Sequence, residues 1–393
     1  MPADTASQVG RRIATLRHSR RMTQAALARA AFVSLPTVKA IERGARMPSD
    51  TTLEAIADAL AVDPTRLVSG HHRAEGRVHD AIPAISAAIA AYDIAGDPPA
   101  RGLTELHAAV DEAVTWRLGA QYGRIAKQIP GLLDDALRTF HAADGSDRRD
   151  AAKLVVATAR AADAVAYKYG YFDLSARLID LMRWAAASAE DPLLEARVSY
   201  VRTETFFAAS AHTAGLRVLQ AAVDRAPAPD DDPATAACGA LHMRAAVIAG
   251  RAGDAAAADM HFDEARTLGD RLPEAVYGGT AFGPDSVRIH EVSVAVSLGS
   301  DHTSRALDVA HDWTPPQDLP AERQSGFWIE LSRAQLWAGL MDDAFESLKV
   351  ARRIAPQHTR EHPWARETAG TLRRLKRADA DSLTTFAEWI GAA

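Results

Sequence analysis

Over the first seventy positions, short apolar sets at helical spacing alternate with polar breaks. Ile13 and Leu16 stand three apart, and Leu27–Ala28, Val38–Ile41 and Leu53–Ile56–Leu60 continue the pattern. Each set predicts a short helix with a narrow apolar stripe on one face. The boundaries are marked chemically. Thr23 and Ser34 stand where N-caps belong, since a hydroxyl there accepts from an amide of the first turn. Pro36 falls in a first turn, where its missing N–H removes no intrahelical bond. Gly44 ends that helix as a glycine past the C-cap commonly does. Thr51-Thr52-Leu53-Glu54 fits a capping box, and Asp63-Pro64 opens a last short turn toward Leu67. Five short helices around one small core are expected over residues 8–70.

Past a short linker at 71–79 the pattern changes. Residues 80–393 carry almost no strand-like alternation, and small-residue breaks recur before apolar helices. The breaks are Gly170-Tyr171, Ala211-His212, Ala252-Gly253, Gly299-Ser300 and Gly339-Leu340, at intervals of 40 to 47 residues. Two units show the small-residue spacing of helical hairpins. One is Leu331, Ala334, Gly339, Ala344, Leu348, Ala351 and Pro356; the other is Ala246, Gly250, Gly253, Ala258 and Ala265. Small residues at such spots let two antiparallel helices approach, and the next hairpin covers what one leaves exposed. The expectation is an all-α chain: a helix-turn-helix head and an α-solenoid of about seven stacked pairs with a concave face.

Charge separates the two parts. The chain has a formal net charge of −6, yet residues 1–49 hold nine Lys and Arg against Asp4 and Glu42. A basic head on an acidic body is expected where only the head meets phosphates. Arginine outnumbers lysine 39 to 6 and asparagine is absent; this matches a GC-rich genome and says little about function. Cys238 stands alone, so no intramolecular disulfide can form, and a reduced cytoplasmic setting fits. The most apolar run, Ala81–Tyr92, contains Pro83 and is too short to span a bilayer. The N-terminus carries no secretory pattern. No phosphate loop, G-x-S-x-G or H-E-x-x-H element occurs, so neither an enzyme nor a cofactor is expected. His71, His72 and His79 lack partners at metal spacing, and Asp230–Asp232 between two prolines reads as a solvated loop.

The head resembles the Xre/Cro phage-repressor type of helix-turn-helix. The likeness rests on Thr23, Gln24, Leu27, Ala28, Ser34, Thr37, Val38, Ile41, Glu42, Gly44, Pro48, Leu53, Ile56, Ala57, Ala59, Leu60 and Val62 at the family's spacing. It implies that Ser34–Arg43 lies in the major groove, with Leu35, Pro36, Lys39 and Ala40 at the base edges and Ser34 and Thr37 beside them. It also implies a phosphate contact for Gln24 and a structural ion pair between Arg17 and Glu42. Arg43 and Arg46 would meet phosphates, which position without specifying sequence. Two features depart from the pattern. Phe32 occupies a turn position usually held by glycine, where the backbone needs positive φ. Lys39 is the only polar reader, which favours thymine-methyl contact and shape readout.

The whole resembles actinobacterial regulators with this head and a tetratricopeptide-like body, through Phe282-Gly283-Pro284, Val287, Ile289-His290 and Leu319–Arg323. It is more loosely similar to the RRNPP peptide-pheromone receptors. Those receptors grip peptide with asparagines, and this chain has none. Polar and aromatic residues gather as Phe282, Arg288, His290 and Glu291, and as Arg323, Trp328, Trp337, His362, Trp364 and Arg366. Of these, Phe282, Arg288, His290, Arg323, Trp328 and Trp364 are the candidate ligand residues, although tryptophans at helical spacing equally suit a core. The reading is a homodimeric regulator of double-stranded DNA with a two-fold operator and a small-molecule or peptide signal, without membrane contact. The alternative is a DNA-tethered module whose solenoid docks a protein and takes no small ligand.

Overall fold

The computed structural model describes residues 3–20, 22–60, 62, 67, 73–375 and 380–392. The chain divides into two units, Met1–Gly76 and Arg77–Ala393. In the first, α1 (Ala3–Ser19), α2 (Gln24–Ala30), α3 (Leu35–Glu42) and α4 (Asp50–Ala59) surround one core. Its centre is Val9, Ile13, Leu27, Val38, Ile41, Ile56 and Leu60, all fully buried. The caps form as expected at α2 and α3: Thr23 Oγ1 accepts from Ala26 N (3.0 Å) and Ser34 Oγ from Thr37 N (3.2 Å). Helix α4 corrects the expected start. Ser49, not Thr51, is its N-cap, and Ser49 Oγ accepts from Thr52 N. The turn at Asp63-Pro64 lies outside the described residues, as do His71 and His72. Leu67 is buried in the head core.

Helix α5 (Arg73–Ala90) spans the division at Gly76–Arg77 and begins inside the 71–79 stretch read as a linker. Val78, Ala81, Ile85 and Ile89 are buried at helical spacing, and that stripe extends the helix toward its N-terminus. Seven antiparallel pairs follow among the described residues. They are α6 (Leu103–Leu118) with α7 (Tyr122–Ala142), α8 (Gly145–Lys168) with α9 (Phe172–Ala189), and α10 (Pro192–Ala208) with α11 (His212–Arg225). Then come α12 (Asp232–Arg251) with α13 (Ala255–Gly269), α14 (Pro284–Leu298) with α15 (Thr303–His311), and α16 (Ala321–Trp337) with α17 (Met341–Ile354). After the short α18 (Pro356–Glu361), α19 (Pro363–Leu375) packs on α20 (Ala380–Ile390). The chain is therefore all-α, a helix-turn-helix head followed by a helical solenoid. Ala246, Ala258, Ala265, Ala334, Ala344 and Ala351 are fully buried, as small residues at helix crossings must be.

Most pairs turn by the same device. Tyr171, Ala211, Asp254 and Leu340 each donate N–H to the carbonyl five residues back, at 2.8 to 3.0 Å. The residue just before each has positive φ: Gly170, Ser210, Gly253 and Gly339. This is the 6→1 bond of a Schellman end. It accounts for the breaks at Gly170-Tyr171, Ala211-His212, Ala252-Gly253 and Gly339-Leu340, but not for that at Gly299-Ser300.

A two-stranded hairpin interrupts the helices, contrary to the strand-free expectation. Strands β1 (Ala275–Tyr277) and β2 (Thr280–Phe282) pair antiparallel, with Tyr277 opposite Thr280. Gly278 and Gly279 connect them with φ of 56° and 79°, as a type I′ turn demands. Phe282 is fully buried and lies so close to Gly239 that a Cβ there would fall 1.9 Å from the ring.

Candidate functional site

In the head, α3 is held from one side and open on the other. Val38 and Ile41 enter the core, while Pro36, Lys39 and the C-cap Arg43 are exposed and Leu35, Thr37 and Ala40 are half-buried. Ser34 serves as the N-cap and also bonds Thr37 Oγ1 (2.8 Å). Arg46 is exposed just beyond, and Arg43 Nε donates to Lys39 O (3.1 Å). A buried bidentate pair fixes the helix against its neighbours: Arg17 Nε and Nη2 donate to Glu42 at 2.7 and 2.9 Å. Arg17 Nη1 also donates to Met22 O. Gln24, the residue expected at a phosphate, donates its amide to Glu42 Oε2 (2.7 Å); a carboxylate bound by one guanidinium still has acceptor capacity. Burial alone would raise the Glu42 pKa; the bonds from Arg17 and Gln24 outweigh it and hold the carboxyl below its usual range.

In the body, the first helices of six successive pairs, α6, α8, α10, α12, α14 and α16, face a cavity of about 230 Å³ that is also lined by the hairpin and α18. Its lining is polar and dominated by cations, Arg117, Arg160, Lys168, Arg244, Arg251 and Arg323. Tyr200 is their meeting point. Arg244 stacks 4.3 Å over its ring, Arg160 lies 5.9 Å from it, and Arg323 Nη2 donates to its hydroxyl (2.8 Å). Burial would raise the Tyr200 pKa, but Arg244, Arg323 and Arg160 overcome it and bring the phenol down to about 8. The hairpin tip caps the arginines: Arg117 donates to Gly279 O, and Arg160 donates to Gly278 O and Thr280 Oγ1.

Two histidines are fixed in one tautomer by their partners. His290 Nδ1–H donates to Ser286 O (2.8 Å), so Nε2 accepts from Arg323 (3.0 Å). His358 Nε2 accepts from Lys168 Nζ (3.1 Å), and its Nδ1–H donates to Ser325 Oγ (2.7 Å). Lys168 also pairs with Glu322 (2.9 Å). Burial first, then the Lys168 charge, brings the His358 pKa down to about 3. Asp163 is bonded to Ser175 Oγ (2.5 Å) and to Glu204; burial and the Glu204 charge raise its carboxyl well above its usual range.

Of the six candidate ligand residues, His290 and Arg323 line this cavity and the other four do not. Phe282 is core, for the steric reason given at Gly239. Arg288 is exposed on α14 and stacks on Trp313 (5.0 Å). Trp328 packs edge-on against Phe327, and Trp364 supports Arg251 (4.8 Å) and Arg333 (5.0 Å) from behind. Of the other residues in those two groups, His362 reaches the cavity. Glu291 pairs with Arg305 and Arg266, Arg366 with Glu361, and Trp337 holds Arg333 on its ring. The sequence reading missed Arg117, Arg160, Tyr200, Arg244 and the hairpin tip. Only the hairpin had a local signal, Gly278-Gly279 between Ala275-Val276-Tyr277 and Thr280-Ala281-Phe282.

These features define a DNA-binding head of the helix-turn-helix class on a helical-repeat body. Residues 8–68 match the family model described as a helix-turn-helix domain. No curated protein matches the chain. Among solved structures it is similar to PlcR of Bacillus thuringiensis in complex with the peptide PapR7 and DNA, at 15% identity and TM-score 0.31, over 68% of this chain and 95% of that one. It is also similar to the apo form of the competence regulator ComR from Streptococcus vestibularis, at 14% identity and TM-score 0.25, over 74% of this chain and 99% of that one. TM-scores this low do not establish a common architecture. No helix among the described residues is long and apolar enough to cross a membrane.

Proposed function

We propose that this protein is a cytoplasmic transcriptional regulator of the Xre type that binds a two-fold operator as a homodimer. Residues 8–70 bind the DNA and 80–393, joined through 71–79, form the sensing and dimerisation body. Helix α3 enters the major groove with Leu35, Pro36, Lys39 and Ala40 toward the bases. Ser34, Thr37, Arg43 and Arg46 reach the adjoining backbone, and Gln24 exchanges Glu42 for a phosphate when DNA arrives. The observation that carries this reading is the two-sidedness of α3: an open face with Lys39 and Arg43, and a back locked by Val38, Ile41 and the Arg17–Glu42 pair. One head reads only a half-site, so two heads a helical turn apart supply useful affinity and imply a palindromic operator. A signal in the body that favours one arrangement of the dimer would change DNA affinity by its preference for that arrangement.

The small, polar and strongly cationic cavity favours a small charged ligand over a docked protein, which would need an open apolar face. The test is operator selection from genomic fragments followed by gel shifts. Lys39→Ala with Arg43→Ala should weaken operator binding at least about tenfold while the melting curve stays in place. Undiminished affinity at matched salt would remove α3 from the interface.

A further inference from the structure

We infer that the concave cavity of the body is a binding site for a compact polyanion, a small molecule carrying two or more phosphate or carboxylate groups, held by Arg117, Arg160, Arg244 and Arg323. This deepens the reading of the body as a sensor and rests on it. The first support is charge balance. None of these guanidinium groups, nor that of Arg251, makes an ion pair with a carboxylate among the described residues. The cavity does hold carboxyls, and the charges of Glu204, Glu322 and Glu330 reach Arg117, Arg244 and Arg251, but each has nearer partners. Glu322 is bound to Lys168, Asp163 to Ser175 and Glu204, and Glu330 accepts from Ser293. Arg117 is buried and Arg160, Arg244, Arg251 and Arg323 are half-buried. Buried charges are ordinarily paired, and against six cations the lining offers only the carboxyls of Asp163, Glu204, Glu322 and Glu330, so positive charge is in excess there.

The second support is unmade hydrogen bonds. Nε of Arg117, Arg244 and Arg251 is buried without a partner, and each orphaned donor in a native interior calls for an explanation. The arginines come from α6, α8, α12 and α16, so they surround the space rather than neighbour one another along a helix. Planar guanidinium forks from several directions suit a compact anion with more than one acidic group. The cavity is below the 300–1,000 Å³ or so typical of drug-sized ligands and its walls are more polar than apolar, which disfavours an extended apolar peptide. Burial, followed by the charge of Arg117, draws the Arg160 pKa down to about 9; an anion would relieve that repulsion.

The experiment uses the full chain in thermal unfolding with millimolar inorganic pyrophosphate or citrate, each against sodium chloride at equal ionic strength. Tm should rise by about 3 °C or more above the chloride control with at least one probe. Arg244→Gln and Arg323→Gln should each lose that rise. A response to pyrophosphate alone assigns phosphate groups to the ligand, and a response to citrate alone assigns carboxylates. No rise over chloride with either anion overturns the proposal, as does a rise that survives in both variants, because the anion is then bound elsewhere, as on the basic head. If one variant fails to fold, calorimetric titration of the other decides. Operator binding measured alongside separates the two readings. Anion binding without any change in operator affinity keeps the site and removes its signalling role. A neutral molecule or peptide that alters operator affinity, with no anion response, keeps the regulator and overturns the polyanion.

Discussion

At Phe32 the backbone holds φ at 52° while the ring is 97% exposed. The turn has not relaxed to suit its residue. It keeps the left-handed conformation required because Val33 N donates to Ala28 O (3.0 Å) at the end of α2. A non-glycine side chain in that region costs about 1–2 kcal/mol, and an exposed ring regains little of it through packing. Phe32→Gly should therefore stabilise the head by about 1 kcal/mol without altering operator affinity, as read from chemical denaturation and gel shifts. A lower denaturation midpoint would mean that the ring makes contacts worth more than the strain.

At the level of elements, what could be read beforehand depended on whether the signal was local. The helices of the head were legible because caps and apolar stripes lie within a few residues of each other. Glycine betrayed the turns at Gly170, Gly253 and Gly339, but Ala120 and Ser210 adopt the same left-handed backbone with no such mark. The hairpin strands are only three residues each, too short for alternation to register, and its Gly-Gly turn was the one usable cue. The arginines of the cavity were illegible for a different reason. Arg117 and Arg323 sit more than two hundred positions apart, and only the curl of the solenoid brings them together. The hairpin tip itself is constrained: a Cβ at Gly278 would stand 2.2 Å from Arg197 Cζ, at a backbone of φ 56°. Gly278→Val should cost about 1–2 kcal/mol and loosen the cap over Arg117 and Arg160. Denaturation and hydrogen exchange at Thr280 would register both effects, and wild-type values would show that the tip tolerates a side chain.

At the scale of the molecule, the solenoid closes on itself. Helix α16 touches α6, Gly123 N donates to Gln357 Oε1 (2.9 Å), and Lys168 joins α8 to both Glu322 and His358. That junction makes stability depend on acidity. His358 is held neutral, with its pKa down to about 3 against an ordinary 6.5. As pH falls from about 6.5 toward 3, the unfolded chain takes a proton that the folded chain refuses, so stability is lost over that window. His362, also held well below its ordinary value, adds to the loss, and Glu322 extends it at the acid end. Asp163, whose carboxyl is raised, opposes it. His358→Gln should flatten the decline between pH 6.5 and 4 in unfolding midpoints, and an unchanged slope would place the proton elsewhere.

The same junction changes the kind of object the body is. In an open array each repeat leans only on its neighbours, so stability grows piecewise and ends can be trimmed with local loss. Here the bonds at Gly123 and Lys168 tie early repeats to late ones. The body is tied like a hoop rather than a spring: loosening that junction should weaken early and late repeats together. A molecule held between Arg117 and Arg323 would bridge the same early and late repeats from within.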